Sequence, residues 1–428
     1  MTATLGKSRL FAAGAVGNVL EWYDFAVYGY FATSIGQAFF PQQDKVAQVL
    51  SAFGIFAVGF LMRPVGGALF GHVGDRIGRR AALNVSIAAM AIPTFLIGVL
   101  PGYERLGLAA PLLLTLLRMI QGLSVGGEYT TSIVFLVERA KPERRGLVGA
   151  VADVGAVLGI LAGSATGAVL ETVMSEASVQ AWGWRIPFWI GLAVGVAGLG
   201  LRRGLPGDEA AAAKTERAPL VATFRHHGML LAQLAGVSAY AAVAFYLMFV
   251  YIVSWLQLVD GVAPARALDI NTISMVLIMP VELSVAWLGD RIGRRRVLLA
   301  ITAFGFTSAW PLFWLLHRPE SALLLLGQFG FVLSVAGFYG CLPAFMVEVV
   351  PHQVRCTATA LGYNLSLGLI GGLSPLAATW LIERTDNDYS PAFMIMAAAA
   401  ISFIALLSLR TAAAGPMIEM VPRPAGGD

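Results

Sequence analysis

The chain has 428 residues, 57% of them hydrophobic and 13% charged, with a mean hydropathy of +0.75 and a formal net charge of +4. So little charge over such a length excludes a water-soluble globular protein and predicts one embedded in a lipid bilayer. The 2 cysteines, Cys341 and Cys356, exclude a disulfide scaffold and lack metal-ligand spacing.

Apolar stretches of about 20 residues, each enough to cross roughly 30 Å of hydrocarbon, recur along the whole sequence. Twelve spans are predicted, over 10–32, 46–71, 81–100, 108–135, 146–170, 186–201, 228–256, 270–289, 297–316, 321–347, 356–382 and 391–409. In the first, "GNVLEWYDFAVYGYF", the helical period sets Asn18, Glu21, Asp24, Phe25 and Tyr28 within about a 120° arc. A charge at the bilayer centre costs about 2.5 to 3.5 kcal/mol or more, so this face is expected to look onto a cavity or an opposite charge. In the second span Arg63 precedes Pro64, and a guanidinium can grip a carboxylate through two parallel hydrogen bonds. The loop that follows reads "GHVGDRIGRR", with glycines at 71, 74 and 78 for a tight turn and close helix approach.

The fourth span repeats the polar stripe of the first, with Arg118, Gln121, Glu128, Tyr129 and Ser132 also within about 120°. Asp153 interrupts an otherwise apolar fifth span whose glycines at 155, 159, 163 and 167 suit close packing. It is expected to hold a cationic nitrogen or to serve as a second proton site. After the sixth span comes the polar linker, 204–227, too short to fold alone. The second half has fewer charges and more aromatic hydroxyls: Tyr240, Tyr246 and Tyr251 on span seven, Glu282 on span eight, Tyr339 on span ten, and Tyr363 with Asn364 on span eleven. Such groups can line a cavity and offer hydrogen bonds.

The chain also repeats itself. "GDRIGRR" stands at 74–80 and again at 289–295, and a Glu is followed seven residues later by an Arg both at Glu138/Arg145 and at Glu348/Arg355. Two parallel six-span halves are the expected architecture, with a site between them. With the N-terminus inside, 21 of the 29 Lys and Arg fall in cytoplasmic segments, which places both termini in the cytoplasm. No nucleic-acid motif accompanies the basic loops. The 5 histidines sit in or beside loops without metal spacing, and no nucleophile constellation or phosphate loop appears, so an enzyme is not expected.

On "GHVGDRIGRR", its second copy "WLGDRIGRRR", and "GNVLEWYDFAVYGYF", "FLMRPVGGALFGHVGDRIGRR", "QGLSVGGEY" and "WGWRIPF", the chain resembles the major facilitator superfamily over nearly its full length. Within that superfamily it looks like the metabolite:proton symporter family, whose members carry citrate, 2-oxoglutarate, shikimate, or proline with betaine. The resemblance implies an all-α membrane protein with twelve transmembrane helices in two pseudo-symmetric six-helix bundles. These are expected at 1–203 and 228–410, with the linker at 204–227 between them and a flexible tail at 411–428.

It further implies proton-coupled uptake of a small carboxylate-bearing metabolite, an organic acid or a zwitterion, by alternating access. Such a carrier needs no cofactor beyond the coupling proton, and a monomer in a bacterial cytoplasmic membrane is expected. Glu21 or Asp24 would take up the proton opposite Arg118, with Asp153 as a further candidate. Asn18, Tyr28, Arg63, Arg118, Gln121, Glu128, Tyr129, Tyr246, Glu282, Tyr339 and Asn364 are the candidate substrate contacts. By the same resemblance Gly71, Asp75, Arg76 and Arg79, with Glu138 and Arg145, form a cytoplasmic latch, and Asp290, Arg294, Glu348 and Arg355 a second. Proton-coupled efflux is the alternative. The drug/proton antiporters of the superfamily typically carry a Gly-Pro motif in span five, and this span has the glycines without the proline, which favours uptake.

Overall fold

The structure, a computed structural model, describes residues 2–40, 51, 54–55, 58–202, 219–262, 264–318 and 321–409, and these are helical or in short connections, with no strand among them. In hydrocarbon each backbone N–H and C=O must be paired within its own segment, and the helix does this. The long helices of the first half are α1 (Thr2–Tyr30), α2 (Arg63–Arg76), α3 (Arg79–Val99), α4 (Ala109–Glu138), α5 (Arg145–Val173) and α6 (Ile186–Arg202). Those of the second are α7 (Gly228–Phe245, continued through Ile252–Leu258), α8 (Pro264–Ile292), α9 (Arg294–Leu316), α10 (Ser321–Val349), α11 (Arg355–Asn364, continued through Gly372–Thr385) and α12 (Ser390–Ser408). Ten described helices are long and apolar enough to cross a membrane.

Several helices outrun the predicted spans, because hydropathy marks the part inside hydrocarbon whereas the helix continues until the chain turns. Residues 219–226 of the expected linker form a short helix, while 203–218 and the expected tail, 411–428, lie outside the described residues. Both α7 and α11 pass through a π-helical turn, at Tyr246–Tyr251 and Leu365–Gly371. Such turns widen a helix locally and recur at functional sites.

Within the first half α1 packs on α5, α3 on α4 and α6, and α2 on α4. Within the second, α9 packs on α10 and α12, and α8 on α10. Between the bundles α2 lies on α11, and α5 on α8 and α10. Both copies of the repeated loop therefore fall at one end of the molecule, here the motif end. In each copy a glycine makes the turn with a positive φ that other residues rarely adopt, Gly78 at 126° and Gly293 at 102°.

Candidate functional site

The polar faces of α1 and α4 meet inside the first bundle. Asp24 is fully buried, accepting from Arg118 Nη1 at 2.5 Å and from both Thr94 Oγ1 and Gln121 Nε2 at 2.9 Å. Arg118 also donates to Gln121 Oε1 at 2.7 Å, and its guanidinium lies 3.8 Å from the centre of the Tyr28 ring. Thus Asp24, Arg118, Gln121 and Tyr28 form one cluster, with Thr94 of α3 as a member that the sequence reading did not include.

Glu21, one turn earlier on α1, faces Arg63 at 3.6 Å. The Arg63 guanidinium sits over the Phe60 ring at 4.4 Å and the Trp22 ring at 5.8 Å, and donates to the Tyr246 hydroxyl of the second bundle at 3.5 Å. Its Nε and Nη2, and Oε2 of Glu21, are buried without a hydrogen-bond partner. This pair is loosely satisfied, whereas Asp24 and Arg118 are closely bound.

Three other candidates have structural partners. Glu128 is bound by Arg202 of α6 and by the Ser86 hydroxyl, and Arg202 also reaches the carbonyl of Leu83. Asn18 donates to Ser132 at 3.0 Å. Asn364 crosses between the bundles to the carbonyl of Gly126 at 2.6 Å.

A small cavity lies between the bundles, lined on the first side by Trp22, Tyr129 and Asp153 and on the second by Phe245, Glu282, Tyr339 and Tyr363, with aliphatic side chains between. Tyr129 and Tyr363 stack at 4.7 Å, and Phe245 meets Trp22 at 5.8 Å and Tyr339 at 5.9 Å. Asp153 and Glu282 both line this space, one from each bundle. Asp153 lies eight residues inside α5 and Glu282 ten residues from the end of α8, which places both about 12 to 15 Å from the motif end. The cavity is therefore near mid-depth.

The motif end is closed by contacts between bundles. Asp75, at the end of α2, accepts from the backbone N–H of Cys356 and Thr357 at the start of α11, at 3.0 and 2.8 Å. Asp290, at the equivalent place on α8, accepts from Gly146 and Leu147 at the start of α5, at 2.7 and 3.0 Å. A carboxylate at a helix N-terminus meets free N–H groups and the positive end of the dipole. Gly71 lets α2 approach this place, since a Cβ there would lie 2.7 Å from Thr357 Cα.

The arginines are exchanged between the halves. Glu138 is held by Arg79 of its own bundle at 3.3 Å and by Arg355 of the other at 2.9 Å. Glu348 is held by Arg294 of its own bundle at 2.6 Å and by Arg145 of the other at 3.5 Å. Arg294 also binds Asp290, as Arg79 binds Asp75 at 3.4 Å. Sequence grouping put Arg145 with Glu138 and Arg355 with Glu348. The structure pairs each with the glutamate of the opposite half, because each arginine begins a helix, α5 or α11, that packs against the other bundle. Arg76 is exposed at the end of α2.

Among the residues the sequence reading passed over, Trp22 and Phe245 line the cavity and Arg202 neutralises Glu128. Arg202 stands at the end of an apolar span and reads as an ordinary loop cation. The signal for it is indirect, since a buried Glu128 requires a partner.

The chain is similar to known transporters over almost all of its length. Residues 10–206 match the family model for sugar and other transporters. The glycine betaine/proline/ectoine/pipecolic acid transporter OusA of Dickeya dadantii is 34% identical, across 97% of this chain and 85% of that protein. The proline/betaine transporter of Escherichia coli K12 is 32% identical, across 97% and 86%. In fold the chain is similar to the proton:xylose symporter XylE, with a TM-score of 0.74 at 17% identity, covering 93% and 94%. The twelve-helix fold in two bundles is that of the major facilitator superfamily. The chain belongs to that superfamily and, within it, to the metabolite:proton symporter family; it is a multi-pass membrane transporter and not an enzyme.

Proposed function

We propose that this protein imports a small zwitterion of the betaine or proline kind together with a proton, by alternating access across a bacterial cytoplasmic membrane with both termini inside. The observation that carries this reading is the cavity between the bundles, lined by two carboxyls and by aromatic rings, one of which, Trp22, also lies 5.8 Å from the Arg63 guanidinium with its unpartnered nitrogens. The names of the relatives support it, since two that match nearly the whole chain are transporters of betaine and proline.

Arg63 is the receptor for the substrate carboxylate. Its Nε and Nη2 are free to donate, and its contact with Glu21, at 3.6 Å, is loose enough for a second carboxylate to displace. Asp24 is the proton carrier and Arg118 its counter-charge. With Asp24 ionised, the 2.5 Å pair holds α1 to α4. A proton on Asp24 cancels that attraction and leaves Arg118 to seek another acceptor, so the proton changes which helix contacts are preferred. The closed motif end corresponds to a state shut toward the cytoplasm.

Proteoliposomes test this directly. With an inwardly directed proton gradient, the carrier is expected to accumulate radiolabelled glycine betaine or proline, and efflux against that gradient would support antiport in its place. Asp24→Asn is expected to abolish gradient-driven accumulation while leaving substrate exchange at zero gradient within a few-fold of normal. Accumulation that persists in Asp24→Asn with an unchanged pH dependence would remove Asp24 from the role.

A further inference from the structure

Two acidic side chains line the cavity from opposite bundles, and among the described residues neither makes an ion pair. Asp153 and Glu282 are 7% and 1% exposed. Oδ2 of Asp153 and both carboxyl oxygens of Glu282 are buried without a hydrogen-bond partner, as is the Tyr129 hydroxyl beside Asp153. The titratable groups that line the cavity with the pair are the phenols of Tyr129, Tyr339 and Tyr363. No arginine or lysine is among them. The other buried acids differ in this respect: Asp24 has Arg118, Glu21 has Arg63, and Glu128 has Arg202.

Two buried carboxylates without a counter-charge are costly, and a positive charge between them removes the cost. Around them stand the faces and edges of Trp22, Phe245, Tyr129, Tyr339 and Tyr363. Aromatic rings attract a cation through the negative potential of their faces, and suit a nitrogen whose substituents cannot donate hydrogen bonds. The loosely held guanidinium of Arg63 is close by, over the Trp22 ring. The cavity region therefore has a negative pole and a positive pole with rings between them.

We propose that Asp153 and Glu282 together form a cation subsite that receives the substrate's positively charged nitrogen, one carboxyl from each bundle. This rests on the zwitterion reading above and deepens it. Because the two carboxyls belong to different bundles, a nitrogen between them draws the bundles together at the base of the cavity, whereas two ionised carboxyls repel. Occupancy and bundle approach are thereby linked.

Glycine betaine and 3,3-dimethylbutanoate have the same shape and the same carboxylate, and differ in that a neutral carbon replaces the quaternary nitrogen. Binding of both to the purified full-length carrier is measured by calorimetry. The unsubstituted protein is expected to prefer betaine by about tenfold or more, as one desolvated cation contact of this kind implies. In Asp153→Asn/Glu282→Gln the preference is expected to collapse toward unity, with 3,3-dimethylbutanoate binding retained or improved, which also shows that the variant is folded. Equal affinity for the two ligands in the unsubstituted protein overturns the subsite without any variant, and so does a double variant that keeps the preference. If the unsubstituted carrier binds betaine, proline and their analogues not at all, the zwitterion reading itself falls, and the subsite with it.

Discussion

At the scale of single residues, three acid–guanidinium pairs of the first bundle that lie away from the motif end, Glu21–Arg63, Asp24–Arg118 and Glu128–Arg202, differ in how completely each is satisfied. Glu128 and Arg202 are enclosed, 2% and 1% exposed, and Ser86 and the Leu83 carbonyl bind them further. Such a pair contributes to a unique fold because either member alone is an uncompensated buried charge. Arg202→Met is expected to destabilise the carrier by about 3 to 5 kcal/mol, seen as a lower melting temperature in detergent. Adding Glu128→Gln should restore most of the loss, and a double variant no better than the single would show that Arg202 acts in some other way. Glu21 and Arg63 form the opposite case, with unpartnered atoms on both sides of the contact. A group held this loosely is available for exchange with a ligand.

The elements explain how such charges are brought together inside a bilayer. Spans two and four approach so closely that a Cβ at Gly126 would sit 2.0 Å from the Arg63 carbonyl oxygen and 2.7 Å from the Gly67 nitrogen. That contact sets where the Arg63 side chain begins and leaves the Gly126 carbonyl for Asn364 at 2.6 Å. Gly126→Val is expected to force α2 away from α4, lowering stability by about 1 to 3 kcal/mol and weakening substrate binding through Arg63. Thermal melting and equilibrium binding read the two effects separately, and a normal melting temperature would mean that the helices part without cost.

Much of this level was legible in the sequence, since apolar length fixes the spans and the 3.6-residue period puts Asn18, Glu21, Asp24 and Tyr28 on one face of α1. The partners were less legible. A period says which residues share a face, but not which helix that face meets, so Thr94 and Arg202 went unassigned and Asp153 was considered without Glu282.

For the whole molecule, the repeat at an offset of half the chain is the feature most informative in the sequence, because two copies of one loop define two halves. What the repeat does not encode is how the halves interlock. Residues that are neighbours in sequence, Glu138 with Arg145 and Glu348 with Arg355, are separated by a turn that carries each arginine toward the other bundle. The paired variant Glu138→Gln/Glu348→Gln is expected to weaken closure at the motif end by more than either single change. Spin labels across that end should show a longer distance populated more often, and transport should become less dependent on substrate to open it. An unchanged distance distribution would mean that Asp75 and Asp290, bound to the N-termini of α11 and α5, suffice to keep it shut.

The reciprocal exchange of arginines has a geometric consequence. A single attachment between two rigid bodies is a pivot, about which they can swivel in any direction. Two attachments at symmetry-related places define a line, and the only rotation that keeps both intact is a rocking about it. While Arg355 holds Glu138 and Arg145 holds Glu348, the bundles are thus confined to one degree of freedom, the one that spreads or narrows the far rim.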